Sequence, residues 1–234
     1  ELFANASLGQ TRLADQQPPG TFGTARLIND AAQIGIDADT AVGALTLSLA
    51  HNDVRVGLLG LGGGTAMQQR EYQTTTVLQA SDLVKLGTDH TLRLALEFRA
   101  DADASGDLAS GTISNQIASA SAMWDWQVTP RVTLTHALRL DTMWLHYSGT
   151  LLPASGLTAA QYNHTTLTQP SLNSGVVWRV TDADTLRLTV ARGVQLPTLL
   201  QYALDWRVNI TPPRIYVGSP RLAPAIVWNT ELDY

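Results

Sequence analysis

Residues 174–190 read SGVVWRVTDADTLRLTV, two short segments of alternating apolar and polar side chains on either side of a polar turn. Val176 and Leu188 fall on the apolar side of their segments, and Arg187 falls on the opposite side. A period of two is typical of a strand with one apolar and one polar face. The stretch therefore predicts a β-hairpin that reverses at Thr181–Asp184.

The two ends of this hairpin differ in the length of their connections. The turn has four residues, whereas about thirty residues separate the second segment from the next alternating stretch, Trp228–Tyr234. Short turns on one side and long loops on the other are typical of outer-membrane β-barrels. We therefore expect a barrel wall whose long loops face outward.

Composition agrees with a sheet that has one apolar and one polar face. Charged residues make up 15% and hydrophobic residues 44% of the 234 residues, and the charged share is well below the roughly 25% of soluble domains. No stretch approaches the roughly 20 apolar residues of a spanning helix, so only strands could cross a membrane. The net charge of −5 argues against a nucleic-acid partner. Cysteine is absent, which excludes disulfides. The first residues do not show the charged start, apolar core and cleavage site of a signal peptide, so we expect no signal peptide in this sequence.

The hairpin pattern recurs along the chain. Segments 72–86 and 92–99 flank a turn at Gly87–His90, and segments 113–128 and 132–147 flank Thr129–Arg131. Weaker alternation near the start completes an antiparallel up-and-down arrangement of about ten strands. The long loops are expected near residues 10–25, 52–68, 100–111, 148–169 and 193–226.

The two faces of these strands predict two environments. Trp124, Trp126 and Val128 share the apolar face beside a short turn, where an interfacial aromatic girdle is expected. The alternative is a soluble β-sandwich, in which these side chains would fill a core. The residues expected to face a polar lumen are Arg93, Glu97, Arg99, Arg139, Asp141, Arg187 and Arg192.

Three motifs in the last third of the chain carry a family resemblance. They are Arg192-Gly193-Val194-Gln195-Leu196-Pro197, Gly218-Ser219-Pro220-Arg221-Leu222-Ala223-Pro224 and Asn229-Thr230-Glu231-Leu232-Asp233-Tyr234. Their order and spacing resemble the barrel of TonB-dependent outer-membrane receptors. The chain departs from that family's pattern at Val194, Ser219, Ala225 and Asp233.

The resemblance implies a fold and a function. It implies that residues 1–234 are one all-β barrel segment without a plug domain, an incomplete part of a 22-stranded transmembrane barrel. A complete ten-stranded barrel, a porin or adhesin, is the alternative. The resemblance also implies residence in the bacterial outer membrane, contact with its lipid, and uptake of a scarce ligand such as a siderophore-iron complex. The inner-membrane TonB complex would act through the plug, and neither an enzymatic activity nor a cofactor is expected.

Aromatic and cationic residues in the expected long loops are the candidate ligand contacts. Stacking faces and guanidinium groups suit a planar or anionic small molecule or metal chelate. Loop self-packing and lipid-headgroup contact remain alternatives for each. The first group is Tyr202, Trp206, Arg207, Arg214 and Tyr216, and the second is Tyr147, Tyr162 and His164.

Weaker patterns point to other chemistries. Asp101, Asp103, Ser105 and Asp107 are spaced like the opening of a calcium loop, but Thr112 replaces its closing glutamate. The glycine cluster at 57–64 lacks the Gly-Lys-Ser/Thr of a phosphate loop. An outer-membrane protease would need Asp141, His146 and Asp205 to meet at the rim, and no motif supports this.

Overall fold

The structure is a computed structural model, and it describes residues 1–17, 21–62, 65–105, 111–151, 155–208 and 214–234. Long antiparallel strands dominate these residues. No helix among them is long and apolar enough to cross a membrane. The elements are β1 (Leu2–Gln17), β2 (Thr21–Asp39), β3 (Ala44–Gly62), β4 (Thr65–Leu86), β5 (His90–Ser105), β6 (Gly111–Thr129), β7 (Val132–Gly149), α1 (Ala159–Asn163), β8 (Thr166–Arg179), β9 (Thr185–Gln195), α2 (Leu199–Ala203), β10 (Asp205–Val208), β11 (Arg214–Val217) and β12 (Ala225–Asp233).

Ten of the strands form one sheet in the order β1 to β9 followed by β12. Each strand is antiparallel to its neighbours, and β1 and β12 are the two edges. Strands β10 and β11 form a separate two-stranded ribbon. The predicted up-and-down arrangement of about ten strands is confirmed.

Local chemistry fixes the short turns at one end of the sheet. Gly87 has φ +71°, a conformation that costs little without a Cβ. The hydroxyl of Thr181 accepts hydrogen bonds from the amides of Ala183 and Asp184 and donates to the Asp184 carboxylate at 2.6 Å. Thr40 accepts from the Gly43 amide in the same way. These side-chain bonds satisfy turn backbone that no ladder pairs.

The prediction of five long loops is wrong at three places. Regions 10–25, 52–68 and 100–111 are largely strand, because β1 through β6 continue well past their apolar segments. Pairs such as Arg12 with Arg26 extend the ladders. The residues there do not continue the pattern of an apolar outer side and a polar inner side, since on β3 Arg55 follows the leucine row and Val54 and Val56 lie on the opposite face, while the backbone keeps its hydrogen bonds.

One face of the sheet, here called the outer face, exposes rows of large apolar side chains. Leu96 and Leu138 are 63% and 58% exposed, and no second layer of described residues covers them. The alternative of a soluble sandwich is therefore not supported. The outer face also carries Leu45, Leu47, Leu49, Leu78, Leu94, Phe98, Trp124, Leu140 and Trp178.

Near the short turns this face carries the expected aromatic cluster. The rings of Trp124 and Trp126 stack with centroids 5.4 Å apart, and Trp124 Nε1 donates to His90 Nδ1 at 3.2 Å. His136, the polar residue in this apolar row, lies 3.1 Å from the Ser174 hydroxyl on the next strand. This cross-strand hydrogen bond thus satisfies one ring nitrogen of His136, a polar side chain on the apolar outer face.

Arg192 does not face the lumen side, contrary to the prediction. It lies opposite Leu172 and Trp228 in the register, and Leu172 lies opposite Leu138 of the outer face. The Leu172–Arg192 pair is the last rung between β8 and β9. Beyond this pair, the Arg192 guanidinium donates to the Pro170 carbonyl and, at 3.3 Å, to Gln169 Oε1. The Arg192 side chain therefore bonds to the part of β8 that no longer pairs with β9.

The exposed outer face predicts a depth-dependent cost for charge. Leu138 lies about 15 Å above the short turns, at roughly 3.3 Å per residue with the usual strand tilt. Leu138→Arg in the full-length protein should lower the free energy of unfolding in phosphatidylcholine vesicles by about 2–4 kcal/mol. Urea titration, read as heat-modifiable migration on a gel, measures this. Thr133→Arg on the opposite face is the control, and an equal cost for both would contradict the assignment of faces.

Candidate ligand-binding site

The opposite face of the sheet, here called the inner face, is partly covered by the two longest connections. Helix α1 lies between β7 and β8, and α2 follows β9. Each helix begins at a threonine with a glutamine three residues later. The Gln161 side chain accepts from the Thr158 amide at 2.9 Å, and the Gln201 side chain accepts from the Thr198 amide at 2.8 Å. These reciprocal caps allow single-turn helices to form within loops.

A buried cluster holds both helices against the sheet. Tyr162 of α1 and Tyr202 of α2 are 0% exposed. The Tyr162 hydroxyl donates to the Tyr202 carbonyl at 3.0 Å, and its ring centroid lies 5.1 Å from that of Tyr147. Burial raises the pKa of Tyr202 to about 12, so its phenol stays neutral at ordinary pH. The other buried members are Ile113, Ile117, Met143, Leu145 and Ala203.

Three of the predicted ligand contacts therefore lie inside this cluster. Tyr147, Tyr162 and Tyr202 are packed against protein on all sides, which corresponds to the loop self-packing considered for them. In this arrangement they position the loops and offer no face to a ligand. His164, the fourth, is exposed at the end of α1, and its amide donates to the Ala160 carbonyl.

The glycine of the motif at 218–224 closes the second loop. The Gly218 amide donates to the Leu204 carbonyl at 2.5 Å. A Cβ on Gly218 would lie 2.3 Å from the Tyr202 carbonyl oxygen, so a side chain there would force the two segments apart. Thr165, at the end of the first loop just before β8, donates to the Pro220 carbonyl at 3.3 Å and joins the two loops.

Between the inner face and the chain leaving β9 lies a cavity of about 640 Å³. The segment from Val194 to Leu200 forms one wall, and strands β4 to β7 form the other. A volume of this size lies within the range of small-molecule sites. Alternation along the strands does not predict that the chain returns across the inner face here, although Thr198-x-x-Gln201 is a helix-start signal that points to a turn of helix in this loop.

Arg139 is the centre of a charged network on the strand wall. Its guanidinium donates to Glu97 at 2.9 Å, to Asp141 at 2.7 Å and to the Ser119 hydroxyl at 2.8 Å. Ser119 in turn donates to Asp141 at 2.5 Å. Three neighbouring strands are thus tied together on the inner face by charge-assisted hydrogen bonds.

A second network lies farther from the short turns. Arg99 Nε donates to both carboxylate oxygens of Asp101, at 2.9 and 2.8 Å, and Thr75 donates to the same group at 2.8 Å. Gln73 donates to Asp103 at 3.4 Å. Among the described lining residues, four carboxylates face two arginines, so the wall is negative. Its charged members are Glu97, Arg99, Asp101, Asp103, Arg139 and Asp141.

The remaining predicted ligand contacts lie on the β10–β11 ribbon. In its register Trp206 is opposite Tyr216, Arg207 is opposite Ile215, and Arg214 is opposite Val208. Tyr216 is 45% exposed. The ribbon follows α2 directly, so the buried Tyr202 fixes one of its ends.

The weaker site hypotheses do not fit the geometry. Asp101 and Asp103 lie in an extended strand, and Asp101 is engaged by Arg99 and Thr75, whereas a calcium loop must curl around its ion. Ser105 ends β5, and Asp107 lies outside the described residues. Within the described part of the chain, no three His, Cys, Asp or Glu side chains are grouped to hold a metal ion.

The protease and glycine-loop hypotheses meet similar obstacles. Asp141 pairs in register with Ser119 on the inner face, while His146, five residues along the same strand, is on the outer face. These two side chains cannot meet. Of the glycine cluster, Gly57 lies within paired β3, and Gly63 and Gly64 fall outside the described residues.

Comparison with known proteins supplies the family context. The family model described as "TonB dependent receptor-like, beta-barrel" matches residues 3–234. No curated protein matches the chain.

Two solved structures share the fold. "Copper transporter OprC" aligns with a TM-score of 0.68 and 11% identity over 86% of this chain and 35% of its own. A double mutant of the Serratia marcescens hemophore receptor HasR, in complex with its hemophore HasA and heme, aligns with a TM-score of 0.66 and 16% identity over 99% of this chain and 39% of its own. The chain thus spans less than two fifths of the length of either structure.

The Arg139 network predicts a coupled loss of stability. Arg139→Gln leaves Glu97 and Asp141 without their shared cation and should lower the free energy of unfolding by about 1–2 kcal/mol, allowing for partial exposure. Adding Glu97→Gln should recover part of that loss, which a double-mutant cycle in urea measures. Arg187→Gln, on the same face without an ion pair to a described carboxylate, is the control. If the effects of Arg139→Gln and Glu97→Gln were simply additive, the contact between Arg139 and Glu97 would contribute nothing to stability.

Proposed function

The chain belongs to the TonB-dependent receptor family as part of its β-barrel, and from this premise we propose that it forms one wall of an energised uptake path. Proteins of this family reside in the bacterial outer membrane. The full-length receptor would bind a scarce small molecule or metal chelate, such as a siderophore-iron complex. It would release the ligand inward when the inner-membrane TonB complex acts on a plug domain.

The observation that carries this proposal is the difference in polarity between the outer and the inner face of the sheet. The outer face exposes leucine rows that suit lipid hydrocarbon. The inner face carries ion-paired charge, a cavity of about 640 Å³ and two loops pinned over it. A wall that is apolar outside and polar inside separates membrane from a path for a polar ligand.

Two regions of the chain would contact the ligand in turn. The β10–β11 ribbon, with Trp206, Arg207, Arg214 and Tyr216, would provide stacking faces and guanidinium groups for capture. The cavity would follow, and its excess of carboxylates favours neutral or cationic groups of a chelate over anionic ones. The two similar structures are named for copper transport and for hemophore and heme binding, and metal-containing cargo is the chemistry they have in common.

Dependence on energy distinguishes this proposal from a passive porin. In cells expressing the full-length receptor, uptake of a radiolabelled panel of ferric siderophores, heme and copper salts should include at least one ligand that accumulates against its gradient. A protonophore should abolish that accumulation, because the TonB complex draws on the inner-membrane proton gradient. Flux that is equal with and without the protonophore, for every member of the panel, would support the porin alternative.

The ribbon arginines should contribute to ligand capture. With the ligand identified by that panel, Arg207→Ala/Arg214→Ala in the full-length receptor should weaken equilibrium binding about tenfold or more, because two charge-assisted contacts are removed. Arg131→Ala/Arg179→Ala removes the same charge at the short-turn end and should leave binding unchanged. Wild-type affinity in the ribbon variant would eliminate these two residues as ligand contacts.

A further inference from the structure

We propose that the outer face of β1 to β4 carries a binding site for the phosphate groups of a glycolipid in the outer leaflet of the membrane. The site consists of Arg12, Arg26, Arg55 and Arg70 around Gly57. It is separate from the uptake path, since it lies on the opposite face of the sheet.

The register places these arginines in one band. Arg12 lies opposite Arg26, Arg26 lies opposite Gly57, and Gly57 lies opposite Arg70. Arg55 is two residues before Gly57 and therefore points to the same side. That side is the outer face, because Leu45, Leu47 and Leu49 precede Arg55 on β3 at even spacing.

The height of the band matches the lipid headgroups. Arg55, Arg26 and Arg70 lie roughly 11 to 16 residues along their strands from the short turns, or about 25–40 Å with the usual tilt. The apolar band of such a wall is about 25 Å tall. The arginines thus begin where hydrocarbon ends, directly above the exposed leucines of the same strands. A ligand that fits both levels has acyl chains and an anionic head.

Among the described side chains of the band, four arginines accompany two carboxylates, those of Asp30 and Asp53. Both carboxylates are already engaged. Asp30 accepts from Arg55 at 3.0 Å, and Asp53 accepts from the Tyr72 hydroxyl at 3.0 Å and lies 3.3 Å from His51. Arg26 donates to the Gln10 side chain, and neither Arg12 nor Arg26 pairs with a carboxylate among the described side chains.

Direct opposition of two arginines across a ladder is unfavourable without an anion between them. The Arg12–Arg26 pair therefore favours a phosphate, whose oxygens match guanidinium donors. The net charge of the chain is −5, so this local excess of arginine is not a general property of its surface.

Gly57 leaves room for such a group in the middle of the band. Among described atoms, a Cβ built on Gly57 would approach nothing closer than the Arg26 carbonyl oxygen, at 3.9 Å. The glycine is thus not required by backbone packing. Its missing side chain leaves a gap of about 10 Å between the flanking strands, open between Arg26 and Arg70. The Arg55 guanidinium carbon lies 6.0 Å from the centroid of the Tyr72 ring, which limits its motion below the gap.

The test measures lipid enrichment around the full-length receptor in phosphatidylcholine nanodiscs doped with bisphosphorylated lipid A. Native mass spectrometry counts the lipid A bound per receptor. Arg12→Gln/Arg26→Gln/Arg70→Gln should reduce the apparent affinity about tenfold or more. Gly57→Val fills the gap without removing charge, suits a strand, and should also weaken binding. Lys85→Gln/Arg131→Gln/Arg179→Gln makes the same charge change at the short-turn end and should have no effect.

The source of the phosphate is tested with two further probes. Dephosphorylated lipid A should bind no better than phosphatidylcholine, and inorganic phosphate at equal concentration should not displace lipid A. Wild-type lipid binding in the triple variant, an equal loss in the control variant, or equal binding of dephosphorylated lipid would each overturn the proposal. Heat-modifiable migration verifies that each variant is folded, and the Gly57 variant keeps the test decisive if the triple variant fails to fold.

Discussion

The structure depends on the requirement that backbone amides and carbonyls be hydrogen-bonded wherever a sheet meets hydrocarbon. An unpaired peptide group at that depth costs several kcal/mol, so strands must form continuous ladders. Ladder formation in turn fixes side chains to alternate faces, and alternation separates leucine rows from ion pairs. At the upper end of β8, beyond Leu172, its ladder with β9 stops. There the Arg192 side chain bonds to the Pro170 carbonyl in place of a strand.

The inner face is organised by a second principle, the burial of aromatic rings in loops. A single-turn helix is not stable through its backbone hydrogen bonds alone, and burial of the Tyr162 and Tyr202 rings supplies the packing that α1 and α2 need. Their burial brings the segment at 194–200 across the strand wall and encloses the cavity. The charged network beneath it is polar enough to accept water or ligand, and Arg139 links it through hydrogen bonds to Asp141 and Glu97.

The alternation of apolar and polar side chains along the sequence is sufficient to predict most strands of the sheet. The strands around the turns at Gly87 and Thr181 were recognisable because one face of each is apolar and the turn residues carry their own hydrogen-bonding chemistry. The upper parts of β1 to β6 are not recognisable, because their residues do not continue the alternation of the lower parts, as on β3, where Arg55 lies on the outer face and Val54 on the inner face. The prediction for Arg192 is wrong for a different reason. Its charge favours the lumen side, whereas its even spacing from Val190 places it on the outer face, and the ladder follows that spacing alone. Pairings such as Arg139 with Glu97 depend on cross-strand register, which no single strand contains, and the buried state of Tyr202 depends on a loop that returns from far along the chain.

The way the loops are anchored has an evolutionary consequence. The contacts that hold them are concentrated in a few buried rings and in backbone bonds such as that of Gly218 to Leu204, close to the strand ends. Among the described residues, exposed loop positions such as His164 and Tyr216, here called the tips, are not members of that cluster. Mutation can therefore exchange the sequence of the tips, under pressure from phage, antibodies or a new nutrient, while the wall and the anchors are inherited unchanged. Such a protein diversifies its recognition surface at little risk to its folding.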